Sequence, residues 1–341
     1  MAVFTVGPLR GFDLDAFDLA AQLGGEPSAI FATSATFMRS GEAFSLFGSG
    51  FIFDAQLRIT GGTVTRITDY FSGVPIFDLS GLSAPAAALT GWAANRDTEA
   101  MKQTLFAGGD IFTGGELGDL LRAYAGNDSV AGGVGDDTLD GGAGDDTVVG
   151  GAGADSIVDG AGSNYLRGED GDDRITGGAG FDDINGNMGA DTCISGGGDD
   201  WVVGGRDNDS LVGSAGQNLV YGNLGNDTCD GGAGADIVRG GQQDDVLFGG
   251  AGDDYMSGDK DSDTVTGGLG ADIFHSFGDA GMDRVTDFSR AQGDRVLLDA
   301  GTTYTVAQSG SDTVISMTGG AQVVLVGVSM SSLTEGWITV G

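Results

Sequence analysis

The chain has 341 residues, of which 67 are glycine, and its 50 acidic residues against 15 lysines and arginines give a formal charge of −35. That charge excludes nucleic acid as an expected partner, because binding to phosphate requires clustered basic side chains. The only histidine, His275, excludes zinc sites of the HExxH type and a catalytic triad with a histidine elsewhere. A compact protein with this charge repels itself unless cations neutralise it.

The beginning of the chain contains no targeting segment of a familiar kind. Residues 1–13 have neither a basic stretch nor a long apolar run, so we expect no N-terminal secretory signal peptide. No run approaches the roughly 18 apolar residues of a membrane span, so we expect no span either. Two cysteines, Cys193 and Cys229, are too few for a disulfide framework. The sequence therefore predicts a soluble protein that does not depend on disulfides.

Residues 1–104 are predicted to form a small β-rich domain of unassigned role. All four prolines and 13 of the 18 phenylalanines precede residue 113, whereas glycine concentrates after residue 107, so the composition predicts a domain boundary near residue 104. Apolar and polar residues mostly alternate over 51–60, which predicts a strand. Gly61-Gly62 then predicts a two-residue turn, and residues 63–67 the returning strand of a hairpin.

Two short helices are predicted near the end of this domain, over Ala84–Ala94 and Thr98–Phe106, with Asp97 as a candidate N-cap of the second. The domain contains no catalytic motif. Its scattered carboxylates, such as Asp13 and Glu42, are more simply explained as surface residues.

A nine-residue repeat begins at Leu105 and keeps its register to His275, which is 19 units. Typical units are GGVGDDTLD at 132–140 and GGAGDDTVV at 141–149, and the last is GGLGADIFH at 267–275. The sixth position is Asp in 17 units and Asn in two, and the eighth position is apolar in all 19. A solvated linker has no reason to place an apolar residue at every ninth position, so the pattern indicates a folded repeat.

The Gly-Gly-x-Gly-x-Asp-x-apolar-x pattern resembles the calcium-binding repeat of RTX proteins, over half of the chain. The resemblance implies a mainly all-β protein built on a parallel β-roll over 105–275, in which each 18-residue turn holds two loops and two short strands. It also implies calcium ions between loops one turn apart. We call the loops of the first, third and later odd-numbered units the odd stack, and the others the even stack.

The residue types fit calcium. Glycines allow the left-handed backbone angles by which a short loop can aim its carbonyls at one point. Calcium takes six to eight hard oxygen ligands, which carbonyls and Asp carboxylates supply. The two stacks hold at most about 17 ions, whose roughly +34 nearly balances the formal charge of −35. We therefore predict that the repeat folds on calcium.

The predicted metal ligands comprise the sixth-position aspartates and glycines of the most regular loops. The aspartates are Asp110, Asp119, Asp128, Asp137, Asp146, Asp155, Asp173, Asp182, Asp191, Asp200, Asp209, Asp227, Asp236, Asp245, Asp254, Asp263 and Asp272. The glycines are Gly133, Gly135, Gly142, Gly144, Gly151, Gly153, Gly178, Gly180, Gly232, Gly234, Gly250 and Gly252. No catalytic residue and no other cofactor is predicted.

Departures from the repeat predict uneven sites. Asn164 and Asn218 replace an anionic ligand in the odd stack, so sites bordered by them should be weaker than those between Asp137, Asp155 and Asp173 in the even stack. The fourth-position glycine is lost at four even units, and the unit with Leu117 is predicted to be the most irregular because leucine tolerates left-handed angles poorly. The other three residues at this position are Asp207, Gln243 and Asp261.

Cys193 and Cys229 both occupy eighth positions, 36 residues apart. This spacing places them two turns apart on one interior face, with backbones about 9.6 Å apart at the usual strand spacing. A disulfide requires Cα atoms closer than about 7 Å, so both are predicted to be free core thiols.

Residues 276–341 are predicted to be a C-terminal β cap. Residues 283–288 and 293–299 resemble the segment that follows RTX repeats in secreted proteases and related proteins. Thr303–Ile315 and Ala321–Val328 are predicted strands. In that family such a C-terminus carries the type I secretion signal, so the resemblance implies an extracellular protein, in solution or associated with the cell surface.

The leading hypothesis is a secreted calcium-binding protein with a structural, surface-layer or extracellular-matrix role. The alternatives are a calcium-dependent carbohydrate-binding adhesin and, less favoured, an enzyme with its site in residues 1–104. Seventh positions of the odd stack suggest a surface, because they form an apolar ladder: Tyr165, Trp201, Leu219, Ile237, Tyr255 and Ile273, interrupted by Asp183. Either the strands from Val285 to Val340 cover this ladder, or it is a surface for self-assembly or for a ligand such as a polysaccharide.

Overall fold

The computed structural model describes the backbone of residues 3–6, 26–31, 34–39, 42–53, 59–71 and 74–85 and, with side chains, all residues from 106 to 341. Regular structure in these ranges is almost entirely β-strand, which confirms the predicted all-β class; the described part has no α-helix and one short 3-10 turn, Met330–Ser332. Residues 86–105 of the two predicted helices lie outside the described residues, and Ala84 belongs to a strand.

The chain divides into two compact units, Met1–Gly160 and Ala161–Gly341. The division falls within the repeat, and the compositional boundary near residue 104 stays a prediction. The strands of the first unit are β1 (Val3–Val6), β2 (Glu26–Phe31), β3 (Ser34–Arg39), β4 (Glu42–Phe53), β5 (Ile59–Phe71), β6 (Val74–Pro85), β7 (Ile111–Thr113), β8 (Leu120–Arg122), β9 (Ser129–Val134), β10 (Thr138–Asp140), β11 (Thr147–Ala152) and β12 (Ser156–Val158).

Strands β2 to β6 form an antiparallel meander, and β1 pairs with β6 on one side and, in parallel, with the first strand of the repeat, β7, on the other. The predicted hairpin forms, but its turn is not at Gly61-Gly62. Gly61 pairs with Ile52 inside the β4–β5 ladder, and Ile59 pairs with Phe53. Register shifts near Ile52 accommodate the glycines within a strand, as β-bulges commonly do.

The repeat of the first unit forms two parallel ladders. Strands β7, β9 and β11 carry odd units, and β8, β10 and β12 carry even units. Paired residues are 18 positions apart, as Leu121 with Leu139 and Val130 with Val148. The period of 18 residues per turn that the family resemblance implies is therefore the one observed.

The second unit continues this arrangement within itself. Its strands are β13 (Asn164–Asp170), β14 (Arg174–Ala179), β15 (Asp182–Met188), β16 (Thr192–Gly197), β17 (Trp201–Arg206), β18 (Ser210–Val212), β19 (Leu219–Leu224), β20 (Thr228–Ala233), β21 (Ile237–Gln242), β22 (Val246–Ala251), β23 (Tyr255–Asp259), β24 (Thr264–Leu269), β25 (Ile273–Ser276), β26 (Met282–Val285), β27 (Arg295–Leu298), β28 (Tyr304–Ser309), β29 (Asp312–Met317), β30 (Gln322–Leu325) and β31 (Ile338–Val340).

Odd-numbered strands from β13 to β27, followed by β31, form one parallel ladder, and even-numbered strands from β14 to β26, followed by β30, form the other. The predicted strand over Thr303–Ile315 is instead a hairpin of β28 and β29, in which Ser309 pairs with Asp312. Gly310 makes this turn possible because its φ is +61°. Strand β29 then pairs with β30.

In each compact unit the core of the repeat is a column of eighth positions. All 19 residues are at most 3% exposed, from Phe112 at the start to Phe274 at the end. Their burial follows from geometry, because each loop is followed by a short strand whose alternate side chains point inward and outward. Stacked turns bury one such residue per unit, so no unit has a core by itself. The loops on either side are thereby held one turn apart.

Candidate metal sites

The second and fourth positions of the repeat hold the loops in left-handed backbone. All twelve predicted glycine ligands have positive φ, between +99° and +148°. Nine residues other than glycine also have positive φ in the described part of the chain, and all nine fall on these two positions: Tyr124, Glu169, Asn187, Asp207, Ser214, Asn223, Gln243, Asp259 and Asp261. The loop conformation is therefore imposed by the stacking and survives loss of the glycine.

Leu117 is the exception among the four fourth-position replacements, because its φ is not positive whereas those of Asp207, Gln243 and Asp261 are +72° to +77°. In this loop the Asp119 carboxylate accepts a hydrogen bond from the backbone N–H of Gly115 through Oδ2, at 2.7 Å. The loop therefore closes on itself, in agreement with the predicted irregularity at Leu117.

The sixth-position aspartates form a buried ladder in each stack. Every one is at most 4% exposed. In most turns the Oδ1 oxygen accepts a hydrogen bond from the backbone N–H of the sixth residue one turn earlier, as between Asp191 and Asp209 at 2.8 Å and between Asp119 and Asp137 at 2.7 Å. One oxygen of each carboxylate is thus held in place by the preceding turn.

In twelve of these carboxylates the second oxygen is buried without a hydrogen-bond partner. Among residues 106–341 this is the case for Oδ2 of Asp128, Asp137, Asp182, Asp191, Asp200, Asp209, Asp227, Asp236, Asp245, Asp254, Asp263 and Asp272. A buried polar atom without a partner costs about 1–3 kcal/mol, and more when it is charged. A series of such atoms in register indicates that a cation belongs beside them.

The pKa values of these aspartates also indicate that the carboxylates lack a stabilising partner. Burial raises the pKa of Asp209 and of Asp245 to about 8, and the charges of carboxylates in the adjacent turns contribute. Burial likewise raises the pKa of Asp128 and of Asp254 to about 7. Without a counterion these groups are driven toward the protonated state, and a cation between the turns would restore the charged form.

First-position glycines leave the space that the carboxylates occupy. A Cβ atom at Gly231 would lie 2.7 Å from Oδ2 of Asp236 and 2.7 Å from the carbonyl oxygen of Gly249, one turn later. At Gly249 the corresponding atoms, of Asp254 and Gly267, would both be 2.5 Å away. A carboxylate oxygen from one turn and a carbonyl oxygen from the next therefore converge above each such glycine.

This donor set fits calcium. No three His, Cys, Asp or Glu side chains converge on one point in the described part of the chain. An ion between the turns would therefore take most of its ligands from backbone carbonyls, together with carboxylate oxygens. Hard oxygen ligands in a flexible loop are the preference of calcium, whereas zinc prefers nitrogen and sulfur.

The two asparagines are accommodated differently from aspartate. Nδ2 of Asn164 donates to Oδ1 of Asp182 at 2.9 Å. Nδ2 of Asn218 donates to the carbonyl oxygens of Gly216 and Gly231, both at 3.4 Å. At both turns an N–H donor stands among the oxygens that a cation would need.

The structure contains a second ladder of hydrogen bonds, at the fifth position, which the sequence did not lead us to predict. Backbone N–H groups at this position donate to a fifth-position Asp or Asn one turn earlier, as Ala154 does to Asp136 at 2.9 Å and Ser262 to Asp244 at 2.9 Å. These carboxylates and amides are exposed and reinforce the stacking without facing the interior. The recurrence of Asp or Asn at the fifth position is the sequence feature from which this ladder could have been predicted.

Cys193 and Cys229 are free and fully buried, as predicted. Burial raises the pKa of both thiols well above its usual value, and the neighbouring carboxylates add to this shift. Neither thiol contacts solvent, so each behaves as a small core residue.

The C-terminal strands do not cover the apolar ladder of the odd stack. Trp201, Ile237 and Tyr165 are 53%, 45% and 44% exposed. The segment from Val285 to Val340 instead extends both sheets along their stacking direction, through β27 and β30. Covering by this segment, one of the two predicted explanations of the ladder, is therefore wrong.

Comparison with known proteins agrees with the geometry of a calcium-binding β-roll. The chain matches the RTX calcium-binding nonapeptide repeat (4 copies) at residues 113–148, 140–175, 149–184, 167–202, 194–229, 203–238, 230–265 and 239–274. The repeat region of this chain therefore belongs to the RTX calcium-binding family. Comparison with curated proteins finds no match.

Among solved structures, the crystal structure of extracellular lipase LipA from Serratia marcescens aligns with 99% of this chain and 85% of that chain, at 13% identity and a TM-score of 0.24. A similarity this low indicates neither a shared fold nor a shared activity. No helix in the described part of the chain is long and apolar enough to cross a membrane.

Proposed function

We propose that this protein is exported, folds on extracellular calcium, and serves a structural or surface-layer role without catalytic activity. Proteins with RTX repeats bind calcium and are typically secreted by type I systems, and residues 276–341 occupy the place of the family's export signal. The observation that carries the proposal is the column of buried carboxylates whose Oδ2 oxygens have no partner among residues 106–341.

Calcium would couple export to folding. Without the ion, the aspartates of adjacent turns repel each other in a poorly solvated column, which opposes closure of the roll. With the ion, its binding free energy becomes folding free energy, because the site does not exist in the unfolded chain. A chain that remains unfolded at low calcium and folds at millimolar calcium is suited to passing through a secretion channel before folding.

The exposed apolar ladder supports a role in assembly. Trp201 packs edge-to-face against Phe181, with ring centroids 5.6 Å apart, and both side chains remain more than one third exposed. A second copy could cover this face once calcium has removed most of the −35 charge that would otherwise repel it. Exposed aromatic residues of this kind dominate many protein interfaces.

Electron microscopy and sedimentation of the purified full-length chain, with calcium and with chelator, test the proposal. Calcium should produce ordered assemblies, and Trp201→Ser should weaken them while leaving calcium-induced β structure intact. The control is Val246→Ser, at an exposed position of the other sheet. A wild-type chain that folds with calcium but stays monomeric at all concentrations would contradict the structural role.

The second candidate function is calcium-dependent carbohydrate binding. Aromatic rings stack well on sugar rings, and the same face also offers Tyr165, with the guanidinium of Arg167 3.5 Å from its ring centroid. Glycan binding measured with and without calcium separates the two candidates. Binding that requires both calcium and Trp201, by a chain that does not assemble, would favour the adhesin. Screens for hydrolysis of polysaccharides and peptides address the less favoured enzyme.

A further inference from the structure

The repeat continues beyond residue 275 after a two-residue insertion. Residues 278–286 have the sequence GDAGMDRVT, with glycine at the first and fourth positions, Asp283 at the sixth and Val285 at the eighth. Ser276 and Phe277 displace this unit from the register of the preceding 19, and the family match ends at residue 274. The pattern is therefore hidden from any comparison that requires a strict period of nine.

The chain stacks this unit on the even stack like any other. Gly281, with φ of +113°, forms a parallel bridge with Asp261, the fourth-position residue one turn earlier. The backbone N–H of Arg284 donates to the carbonyl oxygen of Asp263 at 2.8 Å, the contact made by seventh positions throughout the roll. Val285 is 1% exposed and extends the core column.

The carboxylate of Asp283 is held by the backbone of Asp263, one turn earlier, as the inner aspartates are, and it accepts one further hydrogen bond. The side chain is 4% exposed, and Oδ2 accepts a hydrogen bond from the Ser276 hydroxyl at 3.2 Å. Its other oxygen, Oδ1, has no partner among the described residues, as is also the case for one oxygen of Asp263. Burial and the adjacent charge of Asp263 raise the pKa of Asp283.

The side chains of Asp263 and Asp283 are in contact between the last two loops of the even stack. Neither Oδ2 of Asp263 nor Oδ1 of Asp283 has a hydrogen-bond donor among the described residues. A small cavity that Gly258, Phe274 and Val323 help to line lies beside Asp283. Two buried carboxylates of like charge are stable together only with a proton or a cation between them.

Neither stack continues its carboxylate ladder past this region. In the even stack the residue paired with Asp283 is Val323, which is apolar and buried. In the odd stack the last carboxylate, Asp294, is satisfied without a metal, because Oδ1 accepts from the N–H of Asp272 at 3.2 Å and Oδ2 from the N–H of Ser289 at 2.7 Å. Of the two stacks, only the even one therefore ends in a carboxylate with an unpartnered oxygen.

We propose that residues 278–286 are a twentieth repeat and that Asp283 and Asp263 together bind a calcium ion. This site would join the last even turn to the C-terminal strands, because β26, which contains Asp283, pairs with β30. The proposal rests on calcium binding by the roll, as proposed above. It assigns a ligand outside the matched repeats and a calcium-dependent docking of residues 304–325.

The test counts calcium ions on the full-length chain by native mass spectrometry and follows amide hydrogen exchange in β30. Asp283→Asn should bind one ion fewer than wild type and lose protection of β30. Asp279→Asn, an exposed aspartate in the same loop with the same charge change, should keep both. Ser276→Ala should also keep the full ion count, because it removes a hydrogen bond and no calcium ligand.

Three results would overturn the assignment: an unchanged count in Asp283→Asn, an equal loss in Asp279→Asn, or loss of the same ion in Ser276→Ala. If Asp283→Asn does not fold, the ion count of Ser276→Ala is used instead to test the assignment of Asp283. A structural role through the hydroxyl makes that variant fail too, whereas a folded variant with the full count supports the calcium site. A wild-type chain that takes up no calcium would instead contradict the proposed function as a whole.

Discussion

The side-chain amide of Asn218 donates to the carbonyl oxygen of Gly231 across one turn of the roll, at 3.4 Å. The orientation of the amide is fixed by its other contact, because Oδ1 accepts from the backbone N–H of Asp200 at 3.0 Å and must therefore be the oxygen. Nδ2 thus stands where other turns place an unpartnered carboxylate oxygen. It satisfies a carbonyl that would otherwise be available to calcium.

Asn218→Asp is therefore expected to add one calcium site. With calcium the variant should bind one more ion and unfold at a higher temperature, because a carboxylate replaces the amide between two turns. In chelator it should be no more structured than wild type, because the new charge is buried and unpaired. The measurements are an ion count by native mass spectrometry and thermal unfolding in both conditions.

The control for Asn218→Asp is Gln217→Asp, which introduces the same charge at the exposed fifth position next to it. This variant should change neither the ion count nor the stability in calcium by a comparable amount. If both substitutions raise the count, or if neither does, the amide of Asn218 does not block a site.

The sequence predicted the core and the loop residues of the roll well. A residue buried in every short strand leaves a fixed period, and Leu139 or Val265 can be placed inside from that period alone. The period also predicts which loops stack, because paired residues must be 18 apart. It does not predict that the backbone of Asp191 holds one oxygen of Asp209 and leaves the other without a partner, since that depends on the distance between turns.

The errors arose where the period is broken or a second pairing intervenes. The repeat at 278–286 was missed because two inserted residues shift its phase. The hairpin turn was misplaced at Gly61-Gly62 because a glycine pair favours turns, whereas bulges in the β4–β5 ladder take up these glycines. The strand predicted over Thr303–Ile315 contains Gly310, whose positive φ reverses the chain.

Removal of calcium should unfold the roll. Far-ultraviolet circular dichroism of the full-length chain in chelator should show mostly coil over the repeat, and millimolar calcium should restore the β signal. The reason is the buried series of carboxylates, whose unpartnered oxygens require cations beside them. Magnesium at the same concentration should restore less, because it gives up its water reluctantly and requires stricter geometry. A roll that is equally folded in chelator would refute calcium-dependent folding.

Gly231→Ala should remove a calcium site by filling its cradle. The new Cβ would lie 2.7 Å from both the Asp236 carboxylate and the Gly249 carbonyl, so both oxygens must move. Overpacking of this kind costs about 1–3 kcal/mol, and the ion between these turns should be lost. Gly197→Ala is the matched control, because nothing lies within 4 Å of a Cβ at that position. Equal calcium titrations for the two variants would show that the space above Gly231 is not a binding site.

Cys193 and Cys229 report on opening of the roll. Both thiols are fully buried in the eighth-position column, and burial raises the pKa of each, so little thiolate is available to react. With calcium, labelling by a thiol reagent should proceed only at the rate at which the roll opens, and in chelator both residues should react as free cysteines do. Single-cysteine variants, Cys193→Val and Cys229→Val, assign the rate to each position.

The same labelling can locate a local defect. Cys229 lies in the turn with Asp227 and next to the site altered in Gly231→Ala, so Gly231→Ala should speed the labelling of Cys229 more than the labelling of Cys193. Equal labelling rates with and without calcium would mean that the ion does not hold the core closed.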